Sequence, residues 1–122
     1  MAEKIRGNWI GEKEINKRVE VIILCHESST KDIIAFDVFV RKDIEKEKPR
    51  LYRWLKSFSS DYETECSIAE MFQKRHRKYK YVFSQDFDHI LYCNVGVLNT
   101  LLQIARKFKT AVVLFEEVGE ND

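Results

Sequence analysis

Residues 111–115, Ala-Val-Val-Leu-Phe, are five apolar residues in a row. A run this short and unbroken is the pattern of a strand covered on both faces. It follows a segment, 95–109, whose apolar residues Val97, Leu98, Leu101, Leu102, Ile104, Ala105 and Phe108 recur with helical spacing. Asn99, Gln103, Arg106 and Lys107 make the polar strip of that helix. Arg106, Lys107 and Lys109 lie where the helix dipole favours cations. A helix leading into a doubly covered strand requires a layered domain with both element types.

The remaining chain supplies the other layers. Residues 19–25, Val-Glu-Val-Ile-Ile-Leu-Cys, are β-branched and nearly all apolar, which predicts a strand. Residues 33–41 alternate: Ile34, Phe36, Val38 and Val40 on one face, Ala35, Asp37, Phe39 and Arg41 on the other. The polar segment between these two strands is short enough for an antiparallel hairpin. Pro49 suits the first turn of a helix, and Leu51, Trp54, Leu55 and Phe58 form its apolar stripe. Ser67-Ile-Ala-Glu70 has the form of a capping box, so a further helix is expected from Ile68 toward Arg77, burying Ile68, Met71 and Phe72. Residues 79–84 alternate, with Tyr79, Tyr81 and Phe83 expected on one face, and 85–88 read as a turn or a helix start.

The expected fold is a single compact α+β (or α/β) domain. Its mixed sheet has about four to five strands, with an N-terminal β-hairpin, about three helices and a C-terminal β-α-β unit. Residues 1–17 are expected to form a partly ordered N-terminal arm, or a short edge strand pinned by Trp9. Residues 18–118 form the domain, and 119–122 an acidic flexible tail.

Composition narrows the setting. Of 122 residues, 44% are hydrophobic, enough for a real core and against a disordered chain. No apolar run reaches the roughly 18–20 residues of a membrane span, and the first residues lack the apolar region of a signal peptide. Cys25, Cys66 and Cys93 are odd in number and too widely spaced for a Cys-x-x-Cys pair, so reduced thiols are expected, with Cys25 and Cys93 buried among their apolar neighbours. A soluble, cytoplasmic (intracellular) protein follows as the expectation. The abundance of Glu, Lys and Ile with little Gln is thermophile-like.

Net charge is +1, so global charge steers the chain toward neither nucleic acid nor membrane. Its distribution is uneven. Positions 74–80 read Lys-Arg-His-Arg-Lys-Tyr-Lys, five Lys or Arg in seven residues. Lys74, Arg77, Lys78 and Lys80 make a row suited to phosphates, with Tyr79 and Tyr81 placed to stack on unpaired bases if their strand face is exposed. Arg41, Lys42, Arg50, Arg53 and Lys56 extend the surface if the two basic stretches share a face. The bland alternative is a solvated face whose cations pair with Glu63, Glu65 and Glu70.

A second constellation is Asp86, Asp88 and His89, after a predicted strand. Two carboxylates and an imidazole could hold Mg²⁺ or Mn²⁺, with Asp37 or Glu116 and Glu117 completing the site. The alternative is that Asp86 or Asp88 caps a helix. A third, Cys25-His26-Glu27, fails as a nucleophile pair, because neighbours on a strand point to opposite faces. Gly7, Gly11, Gly96 and Gly119 form no phosphate-binding loop or dinucleotide fingerprint.

Two function classes remain. One is a small binding module with no cofactor, touching nucleic acid through the basic block or acting as an oligomeric interaction protein with another protein or itself. The other is a metal-dependent hydrolase or nuclease using a divalent metal at Asp86, Asp88 and His89. The first is preferred, because it needs only a surface.

Overall fold

The computed structural model describes residues 9–27, 33–59, 67–88 and 95–114. Strands β1 (Trp9–Ile10), β2 (Val21–Glu27), β3 (Ile33–Arg41), β4 (Tyr79–Asp88) and β5 (Thr110–Leu114) form one mixed sheet in the order β1-β5-β2-β3-β4. The expected hairpin is β2 and β3, antiparallel with Ile23 opposite Val38. β4 pairs antiparallel with β3, while β5 runs parallel to both β2 and β1. β4 and β5 are therefore parallel, and the connection through α4 (Val95–Lys107) crosses over β3 and β2. β5 lies between β1 and β2, with Val112 and Val113 buried in opposite cores, which explains its unbroken apolar run.

Helices α1 (Ile44–Glu47) and α2 (Pro49–Lys56) follow β3, and α3 (Ser67–Arg75) precedes β4. Pro49 opens α2 as its sequence suggests. One face of the sheet, carrying Val21, Ile23, Val38, Val40 and Val112, packs against Tyr52 and Leu55 of α2 and Leu101 and Ile104 of α4. The other face, carrying Ile22, Leu24, Phe39 and Val113, packs against Ala69 and Phe72 of α3. Adjacent β2 residues thus serve different layers, and all four from Val21 to Leu24 are fully buried.

Four sequence expectations are corrected. Residues 85–88 are not a turn or a helix start: they continue β4, opposite Ile33 to Phe36. Tyr79, Tyr81 and Phe83 do not share a face. A register shift at Val38/Phe39 leaves Val82 as an extra residue. Such a bulge inverts the alternation. Tyr79 and Tyr81 accordingly join the α3 layer, while Phe83 joins that of α2 and α4. Met71 is half exposed, while Ile68, Ala69 and Phe72 are the apolar residues of α3 that pack on the sheet. Helix α3 ends at Arg75, so Arg77 and Lys78 lie in the turn before β4. Residues 90–93 and the tail 119–122 lie outside the described residues.

No helix among the described residues is long and apolar enough to cross a membrane.

Candidate functional site

The turn after α3 is held against the end of β3. His76 N–H closes on Phe72 O at 2.9 Å, Tyr79 N–H on His76 O at 3.0 Å, and Lys42 N–H reaches Lys78 O at 2.8 Å. These bonds set the basic block beside the C-terminal end of β3. The segment before β2 joins it from the other side. The Tyr79 hydroxyl donates to Val19 O at 2.7 Å and lies 3.2 Å from Asn16 O, while Arg41 Nη1 donates to Lys17 O. Tyr79 is buried, and its burial pushes the phenol above its ordinary range. Its role is to anchor residues 16–19, and a ring so enclosed cannot stack on a base.

Three chain segments therefore meet around two adjoining grooves of about 440 and 630 Å³. Both are lined by Lys17, Arg41, Arg77 and Lys78; the first adds Lys74 and Arg75, the second Lys42 and Asp43. The cations divide into two kinds. Arg41 is neutralised: Nε meets Asp43 Oδ1 and Nη2 meets Glu47 Oε2 at 2.9 Å, and the Asp43 contact raises its pKa further. Lys17, Lys42, Lys74, Arg77 and Lys78 are exposed, and none has an ion-pair partner among the described residues. Glu70, offered in sequence as a neutralising partner, is exposed without such a contact; Glu63 and Glu65 lie outside the described residues.

The other candidate cations are elsewhere. Lys80 belongs to the opposite face, with Nζ 4.5 Å from the Tyr52 ring centroid and 3.5 Å from Glu45 Oε2. Burial pushes its pKa down, but Tyr52 and Glu45 together leave it raised. Arg50 and Arg53 are exposed on α2, the layer across the sheet from α3. Lys56, beside them, has its Nζ 5.8 Å from the Tyr52 centroid. At the grooves the two basic stretches thus meet through Arg41 and Lys42, while Lys80 and Lys56 meet over Tyr52 on the opposite face. Lys17 carried no signal in sequence, since nothing local to it indicates a turn sixty residues away.

At the other end of the sheet, on the α3 face, lies a polar network. Asp37, 1% exposed, accepts from Ser84 Oγ at Oδ1 and lies 2.9 Å from His26 Nε2 through Oδ2. The Tyr81 hydroxyl and Ser84 Oγ are 2.7 Å apart. His26 thus has Asp37 as its partner, while Cys25 belongs to the opposite core. Asp86 and Asp88 are not helix caps: they lie in β4, as register partners of Ala35 and Ile33. His89 and Glu116 lie outside the described residues. Among the described residues no three His, Cys, Asp or Glu side chains converge as a metal site would require.

Compared with protein-family models, with curated proteins and with solved structures, the chain matches none.

Proposed function

We propose that this chain is a small nucleic-acid-binding module whose ligand lies across the basic grooves at the C-terminal end of β3. One observation carries the reading. Lys17, Lys42, Lys74, Arg77 and Lys78 come from three segments to one place and have no carboxylate partner there among the described residues. Like charges brought together repel, and a polyanion is the ligand that relieves them, releasing counterions as each phosphate is neutralised. The nearly neutral total charge makes this a local field, so affinity is modest and strongly salt-dependent.

The test is fluorescence anisotropy with labelled DNA and RNA at low and moderate salt. The variant Lys74→Gln/Arg77→Gln/Lys78→Gln, checked for folding by circular dichroism, should weaken binding. It should also flatten the salt dependence by about 0.9 in slope for each phosphate that the variant no longer neutralises. Absence of binding at low salt, or unchanged binding in the folded triple variant, would refute the proposal.

A further inference from the structure

We infer that the grooves take double-stranded nucleic acid and hold it by its phosphates alone. This rests on the nucleic-acid reading above and adds which form is bound and how.

Proteins that bind single strands combine a basic track with aromatic faces on which successive bases stack. The rings near these cations are committed to the fold. Tyr79 is 5% exposed, with its hydroxyl tied to Val19 O. Tyr81 packs edge-on against Phe39, centroids 5.8 Å apart, with its hydroxyl on Ser84. His76 stacks one face on Phe72 at 4.4 Å. Among the described residues lining the grooves, the rings are Tyr79, which is enclosed, and His76, which already stacks on Phe72, so no exposed Tyr, Phe or Trp lies beside the cations.

The amide side chains that read adenine edges are engaged as well, which leaves Arg77 as the one unpaired arginine among the groove cations described above. Asn and Gln recognise adenine through a paired donor and acceptor. Asn16 Oδ1 accepts from Arg18 N–H at 2.8 Å, and its Nδ2 faces Glu14 O at 3.5 Å. Gln73 Oε1 accepts from Tyr81 N–H at 2.9 Å, while its Nε2 donates to Tyr79 O. Each amide thus already uses one donor and one acceptor within the fold. What remains is long, exposed cations, chiefly lysine, whose point charge suits phosphate. They border two adjoining grooves and come from three segments of chain. A duplex offers the higher phosphate density, on two backbones, to such a field.

The experiment is a competition titration of the full chain with a 20-base-pair DNA duplex, a 20-base-pair RNA duplex and each of their single strands. A second duplex of unrelated sequence is included for each. At least one duplex type should bind about fivefold or more tighter than its strands, and unrelated sequences of that type should agree within about twofold. His76→Ala should leave affinity within about twofold, since stacking on its outer face contributes nothing. Single strands binding as tightly as duplex, a strong sequence preference, or a large loss in folded His76→Ala would overturn this inference while leaving the nucleic-acid reading intact. If neither form binds, both fall.

Discussion

His26 Nε2 and Asp37 Oδ2 are 2.9 Å apart on neighbouring strands, with the carboxylate 1% exposed and the imidazole 12%. Because β2 and β3 pair Leu24 with Asp37, His26 approaches the carboxylate diagonally, and Ser84 approaches it from β4 on the other side. One buried acid thus cross-links three strands.

Asp37→Asn keeps the shape and replaces one acceptor with a donor, so whichever of His26 and Ser84 faces the new N–H can no longer donate to it. A buried polar group left unsatisfied costs about 1–3 kcal/mol, and more when a charge is involved. Urea unfolding should show a loss in that range; a change below about 0.5 kcal/mol would mean that the network contributes little to the fold.

Glu20 gives the stability a defined acid limb. Burial pushes its pKa up, but the Lys109 N–H at 2.9 Å and the Lys48 ammonium at 2.6 Å outweigh this and leave it below the ordinary 4.5. Near pH 4.5 the unfolded chain binds the proton more readily than the native one. The stabilisation is therefore fully present above that pH and fades as pH falls through the lowered native value. Glu20→Gln should cost stability at pH 7, and its gap from the parent protein should narrow on acidification to pH 3. A gap independent of pH in urea titrations would show that the carboxylate's charge is not the stabilising feature.

Gln73 closes part of the free edge of β4. Its side-chain amide pairs with Tyr79 O and Tyr81 N–H as a neighbouring strand would. Gln73→Ala should cost about 1–2 kcal/mol through the removal of two hydrogen bonds. Exposed edge groups also template pairing with another chain, so light scattering should show more self-association. Gln73→Glu keeps the acceptor for Tyr81 N–H but sets a carboxylate oxygen against Tyr79 O, so it should cost at least as much.

Leu101 and Leu102 are adjacent in α4, yet Leu101 is fully buried and Leu102 only partly. Leu101→Ala should cost about 2–5 kcal/mol, and Leu102→Ala clearly less. Equal losses in thermal or urea unfolding would contradict the helix's rotation against the sheet.

The elements that hold the domain together were legible where burial is periodic. The two-residue alternation of 33–41 assigned Phe36, Val38 and Val40 to one face, where α2 and α4 now cover them. The apolar run at 111–115 announced a doubly covered strand, and β5 lies between β1 and β2 with Val112 and Val113 in opposite cores. Alternation misled at 79–84, because the bulge at Val82 has no sequence mark between the aromatic Tyr81 and Phe83.

The candidate site was only half legible. Five cations in seven residues can be counted along the chain, whereas their neighbours depend on which strand ends lie together. Local periodicity, set by backbone geometry and the removal of apolar side chains from water, determined the helices, most strands and the layered class. Tertiary structure alone decided that Lys17 and Lys42 join Lys74, Arg77 and Lys78 while Arg50, Arg53 and Lys80 lie on the far layer, and that Tyr79 is an anchor and not a platform. Those outcomes follow from strand order and from one inserted residue, which act between segments as far apart as Lys17 and Lys78, and no local pattern encodes them.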